Sequence, residues 1–413
     1  MMNPKLRFKQ SDEIEFPDWN AVDLSSISER VIRRNVGNES KIPLTISSAK
    51  GLVNQLEYFT KKIASSDMSN YFLLKRGEFA YNKSYSAGFD YGSIKRLDRY
   101  DNGALSSLYI CFALKTENSD FMTHYFNSLR WYGEMGKICG EGARNHGLLN
   151  VSAKDFFAIK VALPSLPEQQ KIADFFAVLD EKIALAERKL TALQTLKSGL
   201  IQKIFSREIR FKREDGSNFP DWAEVKMSTM FNSIRNGFVG TIAPFYTTKE
   251  TGVRYLQGTN IHDGVISDDV EYYVTQEFNQ AHRKNILKED DILMVQSGHV
   301  GDCAVVGRYA GSNCHALIVM SNANSQKYSS DFVCYYFHSS KGRKNISLLE
   351  KGNTVKHVLA SDVAKLQMLL PTIEEQKKVV SVLRQMDAKQ ALARQELNSL
   401  ILQKQAFLQQ MFV

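Results

Sequence analysis

The sequence predicts a mixed α/β (α+β) protein built twice, as two similar domains each followed by one long helix. Three observations carry that reading. The chain repeats itself, both copies close on an unbroken heptad pattern, and strand-type runs precede helix-type runs in the variable stretch between. A chain of 413 residues is also too long for one core, which stops growing at roughly 250 to 300 residues.

The repeat begins at the N-terminus. Leu6-Arg7-Phe8-Lys9 and Phe16-Pro17-Asp18-Trp19 return as Ile209-Arg210-Phe211-Lys212 and Phe219-Pro220-Asp221-Trp222. A second set, Leu163-Pro164, Glu168-Gln169, Lys171, Asp180, Lys197, Gln202 and Phe205, returns as Leu370-Pro371, Glu375-Gln376, Lys378, Asp387, Lys404, Gln409 and Phe412. The expected boundaries are residues 1–19, repeated by 204–222; a first variable domain, 20–162; a first constant helix, 163–206; a connector and second variable domain, 207–369; and a second constant helix, 370–413.

Within the variable domains, Tyr71 to Asn82, Ser93 to Leu97 and Leu105 to Leu114 carry the β-branched and aromatic enrichment of strands. Ile292 to Gln296 and His315 to Met320 do the same in the second copy. Helices follow over Asn118 to Lys137 and Ser329 to Leu349, opened by Asn and Ser as caps. A last strand, Phe156 to Leu163 or Val363 to Leu370, then leads into each long helix.

The long helices announce themselves by period. Ile172, Phe176, Leu179, Ile183, Ala186, Leu190, Leu193, Lys197, Leu200 and Ile204 alternate steps of four and three, the seam of a coiled coil. The second seam reads Val379, Leu383, Met386, Gln390, Ala393, Leu397, Leu400, Lys404, Phe407 and Met411. About 40 residues at 1.5 Å each make a rod on the order of 60 Å. Lys197 and Lys404 hold equivalent seam positions, where a polar group fixes register at some cost in stability.

Composition narrows the partners. Lys and Arg exceed Asp and Glu by 53 to 45, a net charge of +8 that suits a polyanion. The five cysteines are sparse and widely spaced, as expected of free thiols in a reducing compartment. No apolar run approaches the ~18 residues of a membrane span. The charged N-terminus lacks a signal-peptide pattern, so a cytoplasmic location is expected.

The Leu-Pro and Glu-Gln-Lys entry to each long helix, the run Leu196 to Phe205 and the two Phe-Pro-Asp-Trp stretches together resemble the specificity subunits of type I restriction-modification systems, over essentially the whole chain. The resemblance implies two target recognition domains separated by an antiparallel pair of helices. It implies double-stranded DNA as ligand, with two methyltransferase subunits and, in the full complex, two restriction subunits as partners. It places S-adenosylmethionine, ATP and Mg on those partners, with no cofactor in this chain and no membrane association. Two readers of different sequence then address two different half-sites about a helical turn, or roughly 34 Å, apart.

Base reading needs Asn or Gln for adenine and Lys or Arg for guanine on exposed loops. Asn82, Lys83, Ser84 and Tyr85 form one such loop, and Gln296, Ser297 and His299 form its counterpart, with Lys83-Ser84 aligned to Gln296-Ser297. A second pair precedes the last strand of each domain: Arg144 and Asn145 in the first, Lys351, Asn353 and Lys356 in the second. The plain alternative for each is a solvated turn.

Catalytic chemistry is not expected. The sequence has no Asn-Pro-Pro-aromatic or Asp-Pro-Pro-aromatic stretch for a flipped adenine, no Gly-x-Gly-x-x-Gly after a strand and no phosphate-binding Gly-Lys loop. Asp221 with Glu224 and Lys226 mimics a nuclease site, but the first copy has Ala21 where Glu224 stands. His299, Cys303, Cys314 and His315 lack the ligand spacing of structural zinc sites, and no metal is expected. The competing reading is a non-catalytic coiled-coil adaptor without DNA specificity. Salt-steep, base-specific DNA binding separates the two.

Overall fold

The computed structural model describes residues 4–58, 67–139, 147, 149–322 and 324–412. The chain divides into two compact units, Met1–Glu187 with Gln395–Val413, and Arg188–Arg394. Each long helix therefore gives one half to each unit. No helix among the described residues is long and apolar enough to cross a membrane.

The first unit centres on a four-stranded antiparallel sheet in the order Ser28–Val31, Ile110–Leu114, Phe79–Asn82, Ser93–Arg96. Its inner face carries Phe79, Tyr81 and Phe112, which meet Phe126, Trp131 and Phe156 in an aromatic core. A second sheet orders Gly51–Asn54, Pro43–Ser47, Asn102–Leu105 and Phe72–Lys75, with its two middle strands parallel. A ribbon of Asn20–Asp23 against Lys160–Leu163 leads the chain to the long helix.

The second unit repeats this plan. Its main sheet runs Phe231–Asn236, Leu317–Asn322, Ile292–Val295, Cys303–Val305, all antiparallel. A smaller sheet of Tyr272–Val274, Val253–Leu256 and Asn313–Cys314 again contains one parallel pair. Ala223–Lys226 against Gln367–Leu370 is the equivalent ribbon.

Several sequence expectations need local correction. The expected strands Tyr71 to Asn82 and Leu105 to Leu114 are each interrupted, giving Phe72–Lys75 and Phe79–Asn82, then Asn102–Leu105 and Ile110–Leu114. The helix expected over Asn118 to Lys137 is two, Ser119–Asn127 and Tyr132–Ile138, because Leu129 turns left-handed at φ 62°. Its counterpart is likewise Ser330–His338 and Ser340–Ser347. There Ser339 ends one helix and caps the next, its Oγ accepting from Gly342 N at 3.1 Å. A Cβ on Gly342 would lie 2.1 Å from Tyr336 O, so only glycine permits that approach. The last strands begin later than expected, since short helices Ala153–Phe157 and Ala360–Val363 come first.

The helices span Leu166–Phe205 and Ile373–Gln410. In the first unit the start of one packs against the end of the other: Phe175 meets Phe407 at 5.0 Å, and Lys404 bonds Asp180. In the second unit the roles reverse, with Gln390 Nε2 donating to Leu193 O at 2.9 Å and Lys197 paired with Asp387. The pairing is antiparallel in both. Ile172, Phe176, Leu179, Val379, Leu383 and Met386 are buried, while Ile183, Leu190, Leu193, Leu200, Leu397 and Leu400 are half-buried.

The repeated motifs explain themselves as joints. Arg7 forks onto the fully buried Glu168 at 2.9 and 2.7 Å, and Arg210 onto the fully buried Glu375 at 3.2 and 2.9 Å. Each guanidinium also donates to backbone carbonyls of its Phe-Pro-Asp-Trp stretch. Gln169 and Gln376 donate to Pro164 O and Pro371 O and accept from the cap residues Asn118 N and Ser329 N. Trp19 packs on Phe121 and Phe412, as Trp222 packs on Phe332 and Phe205. The end of each long helix thus completes the core of the unit it reaches, and the constant residues hold each variable domain to the helix pair.

Candidate nucleic-acid interface

The first candidate loop leaves the C-terminal end of Phe79–Asn82, an inner strand of the main sheet. Asn82 Oδ1 accepts from Ser84 N at 3.0 Å, an Asx turn that reverses the chain just after the strand. Tyr85 is 54% exposed, which leaves its ring and hydroxyl free to meet a ligand. Lys83 and Ser84 are half-buried. The loop is held by residues distant in sequence: Leu149 N donates to Lys83 O at 2.9 Å, and Tyr85 N to Gly147 O at 2.7 Å. Arg144 and Asn145 lie outside the described residues.

The second unit makes the same joint. Val358 N donates to Gln296 O at 3.0 Å, and Ser297 bridges to His357. Since Gln296 aligns with Lys83, equivalent backbone bonds join the two candidate loops in both units. Lys351 and His357 exchange backbone bonds of 2.8 and 2.9 Å, closing a short hairpin that carries Asn353 and Lys356 at its exposed tip. Gly352 takes φ 96° in this turn, where a Cβ would meet Val355 O at 2.5 Å.

Electrostatics refine the roles. Lys351 Nζ lies 2.6 Å from Asp362 and Lys356 Nζ 2.7 Å from Glu350, so both lysines already have a carboxylate partner. They remain 53% and 65% exposed, and an exposed ion pair exchanges partners at little cost. His299 is exposed but anchored to backbone carbonyls. Its Nε2 lies 3.1 Å from Gly258 O and 3.2 Å from Ile261 O, so it carries the proton and ties the loop to the 258–261 turn. Gln296 is half-buried and Ser297 exposed.

Sequence reasoning missed His262, an exposed ring stacked on His299 with centroids 5.1 Å apart. No local pattern marks it, because the two residues meet only through the fold. Potential metal ligands also gather differently from the spacing considered: Cys303 with Cys334 and His338, and His299 with His262 and Asp302. Asp221, the nuclease mimic, is engaged by Arg210 at 3.2 Å.

A family model for the type I restriction modification DNA specificity domain matches residues 45–195 and again residues 220–402. The chain belongs to that family. Each match covers most of one variable domain and runs into the long helix that follows, so the repeat is a repeat of the specificity domain itself. Similar proteins include the type I restriction enzyme MjaVIII specificity subunit of Methanocaldococcus jannaschii, 24% identical over 295 residues, 69% of this chain and 68% of that one. A second protein of that organism, described as a type I restriction enzyme MjaX specificity subunit, is 25% identical over 92% of this chain and 89% of its own. Among solved structures, a chain described under complex assembly and conformational transition of the type I R-M system superposes with a TM-score of 0.56 at 17% identity, covering 95% of this chain and 97% of that one. The S subunit from M. genitalium gives 0.53 at 14% identity, covering 100% and 99%. Both show that the specificity fold extends over the chain described here.

Proposed function

We propose that this specificity chain is the DNA-reading subunit of a type I restriction-modification assembly, with one half-site of a bipartite target read by each unit. The observation that carries the reading is the equivalent joint Leu149 N to Lys83 O and Val358 N to Gln296 O, which ties a polar loop to the segment before the last strand in each unit. The loops differ in sequence where they are exposed, so the half-sites differ. Asn82, Ser84 and Tyr85 supply donors and acceptors in the first unit, and Arg144 and Asn145, outside the described residues, are further DNA contacts of this reading. Gln296, Ser297 and Asn353 do so in the second, while Lys351 and Lys356 hold phosphates. His299 positions its loop.

The long helices act as a ruler that leaves an unread spacer between half-sites. Two methyltransferase subunits dock on them, and two restriction subunits join in the full complex. Methyl transfer and cleavage, with S-adenosylmethionine, ATP and Mg, reside on those partners. The test is duplex binding by this chain with its methyltransferase partner across a salt series. Affinity that falls steeply with salt and retains a base-specific part supports the proposal, and an adaptor without either property replaces it.

A further inference from the structure

Two of the five cysteines face each other inside the second unit. Cys303 opens the edge strand of the main sheet, Cys334 lies on helix Ser330–His338, and their Sγ atoms are 3.3 Å apart. Both are buried. His338, one helical turn beyond Cys334, brings Nε2 to 3.7 Å from Cys303 Sγ. The three donor atoms lie within 4.8 Å of one another, close enough for a metal ion or a disulfide.

The hydrogen bonds separate these chemistries. Arg343, which only donates, stands 3.2 Å from His338 Nδ1, so that nitrogen accepts and the ring proton sits on Nε2, facing Cys303 O at 3.0 Å. A metal held by Nε2 displaces that proton. The second nitrogen of a metal-bound histidine normally donates to a carboxylate or carbonyl, and Arg343 occupies that place. Three side chains also fall one short of a closed zinc site. The thiols meet no such conflict, since a disulfide at about 2.05 Å needs a combined approach of only about 1.2 Å.

We propose that Cys303 and Cys334 form a reversible dithiol–disulfide pair, oxidised by a peroxide that reaches Cys334 through the cavity beside it. That cavity holds about 290 Å³ and is lined by Cys334 and His338 together with Lys197, Tyr335 and Asp387. Cys334 sulfur attacks one peroxide oxygen, the O–O bond breaks, and the thiol proton leaves with the departing hydroxide as water, giving a sulfenic acid. Cys303 sulfur then attacks Cys334 sulfur. The S–S bond forms, the S–O bond breaks, and hydroxide departs with the Cys303 proton as a second water. The two thiols lose two electrons and the peroxide gains them.

Hydrogen bonding to Cys303 and burial hold the Cys334 thiol well above the usual range, which makes the first step slow. The reduced pair then gains nothing from a stabilised thiolate, so the disulfide resists reduction once formed. It pins the edge strand, and with it the foot of the 296–302 loop, to the helix behind.

The experiment treats the reduced full chain with hydrogen peroxide and follows intact mass and proteolytic peptides. The expected result is loss of two hydrogens, a linked peptide pair containing Cys303 and Cys334, reversal by dithiothreitol and a melting midpoint raised by roughly 5 to 10 °C. Cys303→Ser and Cys303→Ala should both abolish the link. Added oxygen on Cys334 without a link overturns the proposal. So does retention of one zinc ion by the reduced chain with protection of both thiols, which assigns the site to a metal.

Discussion

Lys197 pairs with the carboxylate of Asp387 across the antiparallel helices of the second unit, and the residues at the repeated positions, Lys404 and Asp180, form the same pair in the first. Each pair is only partly exposed, and each acid has a further neighbour on the recognition domain, Tyr335 beside Asp387 and His124 beside Asp180. The polar seam positions therefore tie helix to helix and helix to domain at once. Asp387→Leu should cost roughly 1 to 3 kcal/mol by stranding Lys197, and adding Lys197→Met should cost less than the sum of the two single changes. Denaturant midpoints for the double-mutant cycle check this, and strict additivity contradicts it.

His124 makes the first unit sensitive to acid. Burial, then the Lys404 charge, push its pKa down to about 4 against the opposing pull of Asp180 and Asp120. With the unfolded value near 6.5, the unfolded chain binds the extra proton first, so stability falls as pH drops from 6.5 towards 4. His124→Phe should flatten the melting temperature over that window. An unchanged slope rejects the assignment.

Arg7 forks onto Glu168, a carboxylate with no exposed surface, as Arg210 does onto Glu375. Removing it leaves a buried charge, so Arg7→Met should destabilise the first unit by about 3 kcal/mol or more. Hydrogen exchange should accelerate first in helix Ser119–Asn127 and at the entry to the first long helix. Arg210→Met should transfer the effect to Ser330–His338 and the second entry.

On the reading surface, Lys351→Ala or Lys356→Ala should weaken DNA binding similarly across sequences and lower the salt slope by about 1 each. Gln296→Ala should instead relax base preference within one half-site. Titrations against target and altered duplexes at several salt concentrations separate the two effects.

Much of this architecture is legible in the chain. Phe-Pro-Asp-Trp and Leu-Pro–Glu-Gln recur because each copy must rebuild one joint around Glu168 or Glu375, and a heptad seam requires a facing helix. Helix breaks were not legible, because Leu129 adopts a left-handed conformation that its side chain does not advertise. The short ribbons Asn20–Asp23 and Ala223–Lys226 carry too few residues for a period. The loops were found by residue type, yet the anchoring of His299 depends on carbonyls about 40 positions away, which no local pattern encodes.

The central claim is a division of labour between two readers on one scaffold. Exchanging residues 20–162 for the corresponding domain of another specificity chain, and mapping methylated adenines in cells that also carry the methyltransferase, tests it most directly. One half-site should change while the other half-site stays. Loss or alteration of both half-sites in a folded, assembled chimera contradicts the account.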